Sequence, residues 1–311
     1  SGGAALVGGP LADAEGRLYF ASQDGTLHAY EADGRYRFAF TLVGTPLGAP
    51  SLRSDDGTLL LGTSERFVYA ISQAGALRWR ATNRAPIWSS IVPRGQSEVV
   101  FVGLDEHVYA MGTGGRAHFR VPLPARAAGE PFVDAALRIW VPLADGVARL
   151  EGSKPPRHLA RGLAPQRALA WGDEIGLLVD DGLVVIDQDG RERERLTGLA
   201  FASAGAEHII VDSAASLRWR GARGDERREL ALPEQPSGAA WTDGRWLALP
   251  LGRGWLAWAG AEGSFRLMRL GEAALGQPIA AGQHLYVPDA DGRICAVDIP
   301  GRGAGPSAGA R

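Results

Sequence analysis

The chain has 311 residues, of which 45% are hydrophobic and 22% are charged, and its formal net charge is −2. This composition is typical of a folded globular protein and argues against a disordered chain. The charge balance offers no basic surplus for a nucleic-acid partner, and no apolar run approaches the roughly 18 residues of a membrane-spanning helix. The single cysteine, Cys295, cannot form an internal disulfide, and no metal-type Cys/His spacing is present. We therefore expect no nucleic acid, no transmembrane segment in this chain and no metal.

Short apolar runs return along the chain at intervals of roughly 34 to 41 residues, a repeat length typical of solenoids and propellers. Each run is too short for a helix and is followed by a polar turn and a second run, which predicts a β-hairpin in every repeat. The strand that opens each hairpin, which is the second strand of its blade, is predicted at residues 18–22, 59–63, 100–104, 139–143, 175–179, 209–213, 247–251 and 285–289. Their partners are predicted at residues 27–30, 68–71, 108–111, 147–150, 183–186, 217–220, 255–258 and 294–297.

Two more strands complete each repeat. One follows a second polar turn and is the fourth strand of the blade. The other precedes the hairpin and is the first strand of the blade, as at 46–52 and 86–92; it is rich in small residues and often introduced by proline. No ten-residue stretch combines a helical period with capping residues. The sequence therefore predicts an all-β fold, an eight-bladed β-propeller of four-stranded antiparallel blades. Seven blades are the alternative, if the fifth and sixth repeats merge.

The two ends of the chain suggest how the propeller closes. The eighth repeat meets a glycine-rich segment at 301–306 that is unsuitable for a fourth strand, whereas residues 2–7 have no other assignment. We predict that this N-terminal strand completes the last blade and removes two exposed sheet edges. Residues 1–300 then form one propeller domain, and residues 301–311 form a flexible C-terminal tail.

Three segments, residues 29–38, 69–79 and 109–119, resemble the PQQ-type propeller repeat, which runs Tyr-Ala-Leu-Asp, a turn ending in Gly, and a Trp four residues later. Phe38, Trp79 and Phe119 occupy the position of that Trp, so the resemblance implies that they dock between neighbouring blades. Periodicity extends the resemblance over the whole chain, and the motif covers about half of it. Leucine or methionine stands near the docking position in the later repeats: Leu159, Leu196, Leu230 and Met268.

The PQQ-like family includes quinoprotein dehydrogenases, BamB-type outer-membrane assembly lipoproteins and receptor ectodomains. The adjacent cysteines and calcium constellation of the dehydrogenases have no counterpart in this sequence. The resemblance therefore implies the non-catalytic branch: no enzyme, no cofactor, and a monomeric protein-interaction scaffold in a bacterial envelope assembly. A periplasmic or outer-membrane-associated location follows from it, with a cytoplasmic one left open. The alternatives are a ligand-sensing receptor ectodomain and an enzyme that uses the central funnel.

Carboxylates recur in the hairpin turns, which an antiparallel repeat places on one face. They are Asp24, Glu65, Asp105, Glu106, Asp145, Asp180, Asp181, Asp289 and Asp291. Asp residues commonly bond the backbone of tight turns, and the other hypothesis is an acidic rim for a cationic partner.

Trp88 stands in a first strand where most equivalent positions are small, so it is either buried between blades or part of an interface with nearby arginines. The hypothesis is a partner-binding face built from the turns and from connections 82–86 and 122–130. Its residues are Glu65, Arg66, Arg84, Trp88, Asp105, Glu106 and His107.

Overall fold

The computed structural model describes residues 6–13, 15–53, 55–171, 173–197, 200–204, 207–211, 216–221, 226–238, 240–242, 246–260, 265–271, 278–281, 284–288 and 294–300. These residues form 31 β-strands and one short 3-10 turn, Gly252–Gly254. Within the same ranges, no helix has the length and apolar character needed to cross a lipid bilayer. Chain contacts define two compact units, one built from residues 6–11, 19–30 and 36–198 and the other from 12–18, 31–35 and the residues after 198.

The first unit contains five four-stranded antiparallel sheets. The first sheet comprises β1 (Leu6–Ala12), β2 (Leu18–Ser22), β3 (Thr26–Tyr30) and β4 (Tyr36–Thr41), and the second β5 (Ser51–Leu52), β6 (Leu59–Gly62), β7 (Phe67–Ile71) and β8 (Leu77–Thr82). The third comprises β9 (Val92–Arg94), β10 (Glu98–Gly103), β11 (His107–Gly112) and β12 (Ala117–Pro122), and the fourth β13 (Phe132–Val133), β14 (Ile139–Leu143), β15 (Gly146–Leu150) and β16 (Arg157–Leu159). The fifth comprises β17 (Arg167–Trp171), β18 (Glu174–Val179), β19 (Gly182–Ile186) and β20 (Glu192–Thr197).

The second unit contains three sheets. The sixth sheet comprises β21 (Ala200–Ala204), β22 (Glu207–Val211), β23 (Ser216–Gly221) and β24 (Glu226–Ala231), and the seventh β25 (Trp241–Thr242), β26 (Trp246–Leu251), β27 (Trp255–Gly260) and β28 (Phe265–Arg269). The last sheet has three strands in the described residues, β29 (Ile279–Ala281), β30 (His284–Pro288) and β31 (Ile294–Asp298). The Tyr286 hydroxyl donates to the carbonyls of Gly16 (3.4 Å) and Ala32 (3.3 Å), which belong to the same unit.

The sheets of the first unit are held together by side chains that alternate along the central strands. Leu59 and Leu61 of β6 pack toward the first sheet, whereas Leu60 between them packs toward the third. In β10, Val100 and Val102 likewise face the fourth sheet, while Phe101 faces the second. Since successive residues of a strand point to opposite faces, each central strand is buried on both sides. This is why the predicted runs are continuously apolar.

Aromatic rings of one sheet lie on glycines of the next. A Cβ placed on Gly75 would lie 2.7 Å from Cγ of Phe38, and one on Gly115 would lie 2.8 Å from Cε3 of Trp79. Both glycines are left-handed, with φ of 83° and 82°. Only glycine combines this conformation with so close an approach at low cost. Phe119 instead packs against the apolar cluster between the third and fourth sheets.

The prediction that the N-terminal strand completes the last sheet is wrong where the structure describes it. Leu6–Ala12 is the first strand of the first sheet and lies beside β2. The physical reason is proximity in sequence, because a turn at 13–17 joins the two strands and makes their pairing cheap in loop entropy. The Asp13 carboxylate fixes this turn by accepting hydrogen bonds from the Arg17 amide (2.9 Å) and Nε (2.6 Å). Residues 2–5 lie outside the described residues.

The predicted blade count is also corrected. The described residues contain seven four-stranded blades, which is the alternative number, rather than eight. The fifth and sixth repeats do not merge, since they form separate sheets. The count falls because the eighth repeat has only three described strands. The predicted tail, 301–311, lies outside the described residues.

Candidate functional site

The connections between the first four sheets run along one set of strand ends and are hydrogen-bonded at both of their own ends. The amides of Leu42, Asn83 and Leu123 donate to hairpin-turn carbonyls at residues 25, 66 and 106, at 2.8, 2.6 and 2.9 Å. At the far end of each connection, the amides of Ser64, Leu104 and Ala144 donate to carbonyls at residues 45, 86 and 126, each at 2.9 Å. The turns and connections therefore form one rigid surface. We define the connection surface as residues 42–47, 64–66, 83–88, 104–107 and 123–128.

Two charged residues of this surface adopt a conformation that normally favours glycine. The first hairpin turn has Gly25 at φ 84°, whereas the equivalent positions of the next two turns hold Arg66 at 66° and Glu106 at 57°. A residue with a Cβ in this region costs about 1–2 kcal/mol. Leu137, Ala160 and Arg253 also have positive φ, so this conformation by itself assigns no role to the side chain.

Trp88 and Glu106 line one cavity of about 470 Å³ on the connection surface. The other lining residues are Leu104, Arg126, Ala127, Ala128 and Ala144. Trp88 is half-buried: its ring packs against the core between the third and fourth sheets, and its amide donates to the Val102 carbonyl (3.3 Å). The ring therefore packs between blades, as one of the two sequence hypotheses predicts, and the hypothesis that it forms part of an interface stays a prediction. Leu104 is 56% exposed at the rim.

Asp105 and His107 form a separate polar group with two residues that the sequence analysis did not identify. The Asp105 carboxylate accepts from Tyr109 Oη and Arg120 Nη2, both at 2.8 Å, and His107 Nδ1 lies 2.6 Å from the Asp105 carbonyl. Partial burial works against ionisation of Asp105, but the bonds from Arg120 and Tyr109 outweigh it and lower its pKa. Burial and the Asp105 bond raise the pKa of Tyr109. The antiparallel register, which pairs Tyr109 with Arg120, brings these side chains together.

Glu106 also acts within the molecule. Its Oε2 accepts a 2.7 Å hydrogen bond from the amide of Ala127 and so fixes the connection at 122–130. Glu65 and Arg66 are exposed in the preceding turn, and the Glu65 side chain lies on Gly44. Arg84 is exposed in the connection that leads to Trp88. The seven predicted site residues thus divide between a Trp88–Glu106 cavity, an Asp105–His107 network and an exposed group at 65, 66 and 84.

Most described carboxylates of the hairpin turns already contact nearby groups of the protein. Asp24 accepts from the Thr26 amide (3.1 Å), His158 Nε2 lies 3.2 Å from Asp145, and Gln166 donates to Asp180 (2.5 Å). Only the Asp24 contact bonds the backbone of its own turn, whereas Asp145 and Asp180 contact side chains outside their turns. Asp289 and Asp291 lie outside the described residues. Across the part of the chain that the structure describes, no group of three or more His, Cys, Asp or Glu side chains could hold a metal ion.

Glu130 was missed by the sequence analysis because it stands alone in a proline-rich connection. Its Oε2 accepts a 2.7 Å bond from the Ser90 amide, which links the first-strand segments of the fourth and third sheets. Solvent reaches the carboxyl, yet the surrounding protein removes enough water to raise its pKa. The neighbouring Gly129 abuts the Gln166 carbonyl of the fifth sheet. Glu130 therefore helps to fix the spacing of the third and fourth sheets.

Comparison with known proteins agrees with this architecture. A family model described as "Outer membrane protein assembly factor BamB" matches residues 64–193 and confirms the resemblance to PQQ-like propeller repeats over that range. The crystal structure of BamB from Moraxella catarrhalis is similar with a TM-score of 0.73 at 14% identity, covering 94% of this chain and 96% of that chain. The crystal structure of the computationally designed Ika8 protein is similar with a TM-score of 0.76 at 12% identity, covering 95% and 96%. These two matches show the fold, a β-propeller of four-stranded antiparallel blades. No curated protein matches the chain at a significant level.

Proposed function

We propose that this protein is a non-enzymatic interaction scaffold of a bacterial envelope assembly and that the connection surface binds its protein partner. One observation carries the proposal: large apolar side chains are exposed on segments whose two ends are fixed by backbone hydrogen bonds. Val43 is 49% exposed, Leu47 is 38% exposed and Leu104 is 56% exposed. Exposed apolar side chains grouped on a firm surface are typical of protein interfaces, since their burial by a partner is favourable and loses little chain entropy.

The envelope role draws its support from the family match. The residues matched by the BamB model, 64–193, include every predicted partner-binding residue from Glu65 to His107 and the cavity residues through Ala144. The assembly that we propose is therefore of the BamB type, with the protein acting as a monomer in the periplasm or at the outer membrane.

Site-specific photo-crosslinking in the native host tests the proposal. Benzoylphenylalanine at position 104 should give an adduct with a protein, and mass spectrometry should identify that protein as an envelope component. Position 137 provides a matched control, because Leu137 is 45% exposed but belongs to a turn between first and second strands, at the other ends of the strands. Equal labelling at both positions would contradict a dedicated surface.

Cell fractionation tests the location separately. The native full-length gene product should be recovered with the periplasmic or outer-membrane fraction. Recovery in the cytosol would contradict the envelope role, and the crosslinks alone would then test the interaction surface. In the crosslinking experiment, an adduct between position 104 and a small molecule rather than a protein would instead favour a ligand-sensing domain.

A further inference from the structure

We infer that the cavity beside Trp88 receives a large apolar side chain from an acidic peptide segment of the partner. This inference rests on the proposed function and adds the chemistry of the partner. It comes from the shape of the cavity, from the fate of the nearby carboxylates and from the arginines around them.

The cavity is lined mainly by apolar groups. Trp88, Leu104 and three alanines supply most of its lining, and its volume of about 470 Å³ lies within the range of ligand-binding sites. The Trp88 indole packs against the core, so a bound side chain would meet an aromatic surface that is supported from behind. Rigid aromatic side chains lose little entropy on binding and are frequent in interface hot spots. The cavity therefore suits leucine, phenylalanine or tryptophan.

The negative charges close to the cavity are already used. Glu106 is bound to the Ala127 amide at 2.7 Å, and Asp105 forms an ion pair with Arg120 at 2.8 Å. Both carboxylates thus hold the surface together. An incoming cation would have to compete with these contacts.

The positive charges are in the opposite situation. Arg66, Arg84 and Arg126 are exposed, and in the described part of the chain none of their guanidinium groups forms a hydrogen bond or an ion pair. Arg126 lines the cavity, Arg84 lies in the same connection as Trp88, and Arg66 lies in the turn that binds that connection. Glu65 and Glu106 offset two of these three charges, because the bond of Glu106 to a neutral amide leaves its negative charge in place. The remaining excess is positive and favours carboxylates on the partner.

The experiment selects peptides from a random twelve-residue display library on the full chain, with depletion on Arg84→Glu/Arg126→Glu. We expect the enriched peptides to carry net negative charge and one leucine, phenylalanine or tryptophan. Enrichment of basic or neutral peptides, or no enrichment beyond the depleted background, would overturn the inference.

A selected peptide, labelled with fluorescein, is then titrated by anisotropy. Arg84→Glu and Arg126→Glu should each weaken binding about 5- to 10-fold, and 0.5 M salt should weaken it as well, because exposed charge pairs are screened. Leu104→Glu should weaken it about 10-fold, and Trp88→Ala about 30-fold. Arg116→Glu, at an exposed turn on the other strand ends, should leave binding unchanged.

Each variant is checked by its melting temperature. If Trp88→Ala unfolds, Leu104→Glu still tests the cavity, because Leu104 is largely exposed. Binding that ignores all four substitutions would overturn the inference. If crosslinking at position 104 still captures an envelope protein in that case, the proposed function stands and only the acidic-peptide chemistry fails. Concentration-dependent dimerisation blocked by Leu104→Glu would assign the surface to a second copy and also overturn the inference.

Discussion

Replacement of Gly115 by alanine offers a direct measure of the contact between neighbouring sheets. The new Cβ would approach Trp79 Cε3 to 2.8 Å, and the residue would have to keep φ at 82°. The left-handed conformation costs about 1 kcal/mol for alanine. Overpacking against an indole that packs on the apolar cluster between the second and third sheets adds about 1–3 kcal/mol. We therefore expect Gly115→Ala to destabilise the protein by about 2–4 kcal/mol.

The chain contains a matched control for this substitution. Gly34 occupies the equivalent turn of the first sheet with φ of 81°, and a Cβ placed there meets no described atom within 4 Å. Gly34→Ala should therefore show only the conformational cost of about 1 kcal/mol. The difference between the two variants isolates the steric part of the sheet-to-sheet contact.

Urea unfolding followed by far-ultraviolet circular dichroism would measure both variants, with the midpoint and slope compared. A double-mutant cycle with Trp79→Ala completes the test: without the indole, the cost of Gly115→Ala should fall to that of Gly34→Ala. Equal costs for Gly34→Ala and Gly115→Ala, or no coupling to Trp79, would refute the reasoning.

Substitutions at three further positions test other parts of the molecule. Asp134→Ala should cost about 2–3 kcal/mol at pH 7 in urea unfolding, because it deprives the buried Trp140 Nε1 of its acceptor at 2.8 Å. Partial burial opposes ionisation of Asp134, but bonds from Trp140 and Arg138 lower its folded-state pKa below the usual 3.8. The stabilisation by the carboxylate is therefore present above pH 3.8 and is lost as pH falls through the folded-state pKa. The loss of unfolding free energy caused by Asp134→Asn should accordingly shrink in acid. Arg66→Gly should leave the free energy of unfolding unchanged or raise it by up to about 1 kcal/mol, because glycine adopts a φ of 66° without strain. The same variant should weaken binding of the selected peptide. A loss of stability would show that the Arg66 side chain is structural. Glu106→Ala should speed hydrogen exchange at the Ala127 amide, whose acceptor it removes, and unchanged exchange would contradict the assigned 2.7 Å bond.

The sequence predicts the hairpins of this fold well because their signals are local. Residues 139–143 were expected to form a strand and form β14 with the same bounds, and residues 27–30 lie within β3. Continuous apolar runs and Asp-Gly turns are sufficient there. The first strands are less regular than predicted. In place of a strand at 86–92, Ile87 forms an isolated bridge to Gly103 and β9 begins at Val92. Small residues and proline interrupt the ladder of hydrogen bonds.

The site could be predicted only in part. Periodicity places Trp88, Arg84 and the turn carboxylates on one face, but it does not say which charges are neutralised. That depends on side-chain geometry across strands, such as Arg120 reaching Asp105 from fifteen positions away in the chain. Leu104 and Arg126 were missed because each belongs to a turn or connection whose residue type varies between repeats. The N-terminal strand was misassigned for a related reason, since pairing partners at the ends of a repeat array are ambiguous in sequence.

The repeats themselves separate what the fold requires from what this surface adds. In three successive turns the carbonyl of the left-handed residue accepts the same hydrogen bond from the next connection, whether that residue is Gly25, Arg66 or Glu106. The architecture therefore needs the backbone conformation and not a side chain. A side chain at this position raises the free energy of the fold, and at Glu106 the hydrogen bond to Ala127 offsets that cost. At Arg66 no hydrogen bond or ion pair of the guanidinium within the described residues does so. Under the proposed function, a carboxylate of the partner would bind Arg66, since a carboxylate is the group that a guanidinium binds best.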